Sequence, residues 1–123
     1  MFLGLRTAVY YVSEMEKAKE WYSTVLEIKP YYDTPYYIGF NVAGYELGLH
    51  PGKSGPADAD SGVGIYWGVD KAQESLDRLL ELGATRHKDV EDVGSGILIG
   101  SVVDPFGNIF GIIENPHFSL EKK

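Results

Sequence analysis

The chain contains no cysteine, which excludes disulfides and thiolate metal sites outright. No apolar run approaches the length of a membrane span, and residues 1–6 lack the basic-then-apolar layout of a signal peptide. A cytoplasmic protein without a membrane partner is the expectation. Clusters of lysine and arginine are missing too. The 18 acidic and 11 basic residues leave a formal charge of −7. A field of that sign repels phosphate backbones, so nucleic acid is not expected as a partner. It favours a cationic small molecule, and it also serves solubility.

At 123 residues there is about one domain's worth of chain, enough for a hydrophobic core without covalent staples. Leu5–Val12 is apolar and β-branched or aromatic, and Ser13-Glu14 then opens a helical pattern. Met15, Ala18, Trp21, Tyr22, Val25 and Leu26 recur at spacings of three and four, which is one helix face. Lys29-Pro30 is the expected stop. Extended segments follow at about Ile28–Tyr32, Tyr36–Val42 and Tyr45–His50, and Pro51–Ser61 is rich in loop-forming residues. The same order then returns. Val63–Val69 is a strand, Asp70 a candidate helix N-cap, and Ala72, Leu76, Leu79, Leu80 and Leu82 an apolar helix stripe. Gly83 is placed to end that helix in the left-handed conformation. Strands are expected near Thr85–Val90, Ile97–Val103 and Ile109–Glu114, the last two joined by Asp104-Pro105-Phe106-Gly107-Asn108. The chain is therefore a βαβββ module twice over, spanning about 1–52 and 62–118.

Strand alternation sorts the side chains by face. The two-residue turn Ala43-Gly44 pairs Val42 with Tyr45, so Phe40 opposes Leu47 and Ile38 opposes Leu49 on an apolar face suited to helix packing. The other face carries Tyr37, Gly39, Asn41, Glu46, Gly48 and His50. In the second module Gly64, Tyr66 and Gly68 oppose the apolar set Val63, Ile65, Trp67 and Val69, and Gly111 shares its side with Ile109 and Ile113. Five strand glycines thus fall away from the expected helices, while Gly100 falls on the helix side. Such glycines either ease curvature and admit a packed aromatic ring, or mark the close approach of a ligand. The interleaved tyrosines favour a hollow walled by aromatic rings.

Two motifs carry a resemblance. Val12-Ser13-Glu14-Met15-Glu16-Lys17-Ala18, then Trp21-Tyr22 and Val25-Leu26, is similar to the opening of the glyoxalase/bleomycin-resistance/dioxygenase (vicinal oxygen chelate) superfamily. Asp104-Pro105-Phe106-Gly107-Asn108 with Glu114 resembles that family's closing signature. The departure is Glu27, where the family usually has glycine. The resemblance implies an α+β fold, two βαβββ modules forming a curved, partly open mixed sheet around a cleft with helices outside. In metal-dependent members four inward side chains hold a divalent ion that polarises the substrate. The matching positions are Thr7, Gly48, Gly64 and Gly111, and neither glycine nor threonine suits that role. No metal or other cofactor is therefore expected.

Three histidines, His50, His87 and His117, are scattered and form no group. Glu46 and His50 share a face, but four residues along a strand is roughly 13 Å, too far for a direct acid–base pair. The expected ligand-binding residues are Thr7, Val9, Tyr11, Tyr37, Gly39, Asn41, Glu46, Gly48, His50, Gly64, Tyr66, Gly68, Ser101 and Gly111. Tyr31-Tyr32 and Tyr36-Tyr37 add a dense aromatic patch around Asp33-Thr34-Pro35. The resulting expectation is metal-independent binding or sequestration of a small, partly aromatic or cationic molecule, with a homodimer implied by the resemblance. The alternative is a lyase or dioxygenase of the same superfamily, working through ligands such as His50 and Glu46 or without metal through Glu46 as base.

Overall fold

The structure, a computed structural model, describes residues 3–52 and 64–118. The expected loop from Lys53 to Ser61 and the first residue of the expected strand at Val63 lie outside the described residues. In chain order the elements are β1 (Thr7–Val12), α1 (Met15–Leu26), β2 (Tyr32–Asp33), β3 (Ile38–Val42), β4 (Tyr45–Pro51), β5 (Tyr66–Gly68), α2 (Ala72–Glu81), β6 (Thr85–Asp92), β7 (Leu98–Val103) and β8 (Ile109–Glu114). The class is α+β. Each half is a four-stranded mixed sheet with one helix, ordered β1-β4-β3-β2 and β5-β8-β7-β6. The two halves are separate compact units, and the turn residues Phe106–Asn108 belong with the first.

In the first unit the parallel pair β1–β4 and the antiparallel pairs β3–β4 and β2–β3 set the register. Val42 pairs with Tyr45, Phe40 with Leu47 and Ile38 with Leu49, as the Ala43-Gly44 turn requires. Both turn residues have positive φ, 53° and 94°, which matches the right-handed twist of the strands they join. Tyr10, Val12, Ile38, Phe40, Leu47 and Leu49 are buried with Ala18 and Tyr22 of α1. Each large apolar side chain removed from water this way contributes about 1.5–3 kcal/mol. The Tyr10 and Tyr22 rings meet at 6.0 Å, and Trp21 packs edge-on against both Tyr22 and Phe106.

Helix α1 stops at Leu26, short of the expected Lys29-Pro30 boundary. Glu27 takes up the left-handed conformation, φ 57° and ψ 34°, that the family's glycine would adopt freely. The strand expected at Ile28–Tyr32 shrinks to Tyr32–Asp33, although the Tyr31 N–H still donates to the Gly39 carbonyl. Strand β3 begins at Ile38 rather than Tyr36. The cause is local: Thr34 Oγ1 accepts from the N–H groups of Tyr36 and Tyr37 and donates to the Tyr37 carbonyl, which closes a turn through Pro35.

In the second unit Val102, Phe110 and Ile112 are buried with Ala72, Leu76 and Leu79 of α2. The N-cap of α2 is Lys71, not Asp70, and no side chain of its own caps it. Glu114 of β8 does so instead, its Oε1 accepting the Ala72 N–H at 2.8 Å. The other end follows expectation. Gly83 has φ 104°, its N–H donates to the Leu80 carbonyl and the Ala84 N–H to that of Leu79, a Schellman closure. Strand β6 runs on to Asp92 and carries two register shifts, each admitting one extra residue. Gly100 pairs with buried Ile112 on the helix side. No helix among the described residues is long and apolar enough to cross a membrane.

Candidate functional site

The register of the first sheet brings Thr7 beside Glu46, Val9 beside Gly48 and Tyr11 beside His50, with Gly39 and Asn41 of β3 across from Gly48 and Glu46. These residues share the face turned away from α1. Glu46 is its hub. Thr7 Oγ1 donates to Glu46 Oε1 at 2.9 Å, and the Tyr31 hydroxyl donates to Oε2.

The hub has a definite electrostatic character. The Tyr31 hydroxyl, helped by those of Thr7 and Tyr37, holds the Glu46 carboxyl below its ordinary value and outweighs the opposing effect of partial burial. Burial, then the bond to Glu46, pushes the Tyr37 phenol up to about 12. The bond to Glu46 raises Tyr31 as well. At neutral pH this face therefore presents one ionised carboxylate and neutral phenols. Donating hydroxyls stabilise the charge without cancelling it.

The glycines make the arrangement possible. A Cβ on Gly39 would fall 2.9 Å from Tyr31 Cε1, and one on Gly48 would fall 2.6 Å from Tyr37 Cζ. The space above these two glycines is thus taken by tyrosine rings, the first of the two alternatives weighed for them. Tyr31, Tyr32 and Tyr37 form a tilted cluster, with neighbouring centroids 6.3 and 6.2 Å apart. Tyr31 and Tyr32 keep 63% and 50% of their surface exposed, so the cluster offers ring faces to solvent.

The other expected residues of this face have local partners. Asn41 Oδ1 accepts the Gly44 N–H at 2.8 Å and steadies the hairpin. His50 Nδ1 lies 2.8 Å from the Pro51 carbonyl and its ring meets that of Tyr11 edge-on at 5.4 Å. Val9 and Tyr11 are exposed.

On the second sheet Tyr66 pairs with Gly111, and Gly111 with Ser101, so these three share one face. The Tyr66 ring lies against Gly64 and Gly111, while nothing approaches the Cβ direction of Gly68. Ser101 is buried, and its Oγ is 2.8 Å from His87 Nδ1. The first bulge of β6 places His87 and Lys88 together opposite Ser101, which aims an edge-strand imidazole at it. A cavity of about 40 Å³ beside Tyr66, Lys88 and Ser101 has room for little more than a water.

Sequence reading alone omits Tyr31, Tyr32 and His87 from the site. The first two stand in the aromatic patch, which was the available signal. Tyr31, just before β2, has the opposite parity to Tyr32, which pairs with Gly39, yet its hydroxyl reaches Glu46.

The positions that match the family's metal ligands do not fit an ion. Thr7 Oγ1 is committed to Glu46, and Tyr37 covers Gly48. The Cβ direction of Gly111 is met at 2.5 Å by the Ile65 carbonyl, and that of Gly64 by the Tyr66 ring. Among the described residues no three His, Cys, Asp or Glu side chains gather in a group able to hold a metal.

The Glyoxalase/Bleomycin resistance protein/Dioxygenase superfamily profile matches residues 4–112. The chain belongs to this superfamily. Solved structures with the same fold include a superfamily member from Sphaerobacter thermophilus, 24% identical, with a TM-score of 0.75 over 94% of this chain and 99% of that one. The genomically encoded fosfomycin resistance protein of Listeria monocytogenes is 16% identical, with a TM-score of 0.78 over 95% and 97%. A lactoylglutathione lyase from Agrobacterium tumefaciens is 17% identical, with a TM-score of 0.73 over 98% and 100%. No curated protein matches the chain. Superfamily membership with Thr7, Gly48, Gly64 and Gly111 at the ligand positions sets this member apart from the family's metal-dependent pattern.

Proposed function

We propose that this superfamily member binds or sequesters a small organic cation, aromatic or apolar in part, on the Glu46 face of its first sheet, without a metal ion. The single observation that carries the reading is the Glu46 carboxylate, hydrogen-bonded by the hydroxyls of Tyr31 and Thr7 beside exposed tyrosine rings. A charge-assisted contact to Glu46 supplies attraction, and ring faces supply apolar and cation–π contact. The net charge of −7 draws cations toward the molecule. A carboxyl whose affinity for protons is lowered is a weak general base, which favours binding over proton-abstraction chemistry at Glu46.

Calorimetric titration of benzyltrimethylammonium into chelator-treated wild type and Glu46→Gln tests the reading. Saturable binding by wild type, weakened about tenfold or more in the variant, is the expected result. Equal affinity in both would remove Glu46 from the site.

A further inference from the structure

On the reading just given a cation sits at Glu46, and the same face has a second polar end. Glu46, Gly48 and His50 alternate along β4, so all three share this face. The His50 ring is fixed at one nitrogen, its Nδ1 lying 2.8 Å from the Pro51 carbonyl. A carbonyl oxygen only accepts. In the neutral ring Nδ1 therefore carries the hydrogen, and Nε2 is left as a bare acceptor. The Tyr11 ring braces the imidazole edge-on at 5.4 Å, and the residue is exposed. No polar atom among the described residues pairs with Nε2.

Two anchored acceptors thus stand on one strand face. One is a carboxylate held by Thr7 and Tyr31, the other an imidazole nitrogen fixed through Pro51. Four residues of extended chain put them roughly 13 Å apart. Gly48 is midway and contributes no side chain; the Tyr37 phenol ring lies over it, and exposed Val9 of β1 is its neighbour in register. An alkyl chain laid between the two acceptors would meet that ring and that valine. The ends differ in what they attract. Glu46 draws a positive charge, whereas a neutral imidazole gives a second charge no reward and takes a hydroxyl or amide N–H as donor.

We infer that the ligand of the Glu46 face is elongated, an organic cation that carries a neutral hydrogen-bond donor about 13 Å from its charged end and gives that donor to His50 Nε2.

The test titrates 8-amino-1-octanol, octylamine and 4-amino-1-butanol into wild type, His50→Phe and Glu46→Gln by calorimetry at pH 8, where imidazole is neutral. Phe keeps the ring contact with Tyr11 and removes the acceptor. The long amino alcohol is expected to lose affinity at least about threefold in His50→Phe. Octylamine has no donor at its far end and the short amino alcohol cannot span, so both should change by less than about twofold. In wild type, the nitrogen resonance of His50 Nε2 should move with 8-amino-1-octanol and stay in place with octylamine. Equal effects of His50→Phe on the three amines, or an Nε2 resonance unmoved by the long amino alcohol, would overturn the two-ended ligand while leaving a cation at Glu46 standing. Failure of all three to bind wild type, or undiminished binding of all three to Glu46→Gln, would overturn both.

Discussion

Glu46 and the tyrosines around it titrate as a group, and the sign of each shift dictates the pH behaviour. The Glu46 carboxyl lies below its ordinary 4.5, so its contribution to stability is complete above that pH and is lost as pH falls through the folded value. Tyr37 lies above its ordinary 10.0, at about 12, so its contribution is complete below pH 10 and is lost as pH rises from 10 to 12. Ultraviolet titration of the nine tyrosines should show a phenol ionising near 12 that is missing in Tyr37→Phe. Identical high-pH limbs in the two proteins would contradict the burial assigned to that hydroxyl. The strand glycines give a second contrast. Gly111→Ala drives a methyl against the Ile65 carbonyl, a backbone atom with little freedom, and should cost about 1–3 kcal/mol. Gly48→Ala meets first the outer end of the Tyr37 ring, side-chain atoms rather than backbone, and should cost less. Urea midpoints that reverse this order would refute the packing described. Alternation of side chains in the sequence was sufficient to place Glu46, Gly48, Tyr37 and Gly39 on one face. It could not place Tyr31, whose ring crosses to that face from a residue of opposite parity.

At the scale of elements, two helix ends depart from what the residues alone suggest. Glu27 holds a left-handed conformation that costs an L-residue with a side chain about 1–2 kcal/mol relative to glycine. Glu27→Gly should therefore stabilise the first unit by about 1 kcal/mol, less the entropy glycine brings to the unfolded chain. A destabilised Glu27→Gly variant in urea melts would contradict the strained terminus. Helix α2 draws its N-terminal cap from Glu114, 42 residues along the chain. Glu114→Ala should lose about 0.5–2 kcal/mol, whereas Asp70→Ala should change stability little. The reverse ranking would restore Asp70 as the cap. Local signals in the chain were enough for the Ala43-Gly44 register and the Gly83 helix end, because positive φ there is demanded by a few neighbouring residues. Long-range caps and the bulges of β6 depend on a partner strand, so nothing near them in the sequence announces them.

The whole molecule repeats one βαβββ plan in two units, and that duplication was readable because hydrophobic periodicity switches from two to nearly four and back again in each half. The two sheets have diverged where chemistry would sit. The first presents an ionised carboxylate ringed by hydroxyls and exposed aromatic faces. The second presents Tyr66 over glycines and a buried Ser101 bonded to His87. The proposed activity is binding without a metal, centred on the first sheet. Nuclear magnetic resonance of chelator-treated protein titrated with benzyltrimethylammonium tests it most directly. Saturable shifts centred on Thr7, Tyr31, Tyr32 and Glu46, unaltered by added zinc, manganese or nickel, are the expected result. Shifts that appear only once a divalent metal is supplied, or that spare those four residues, would contradict it.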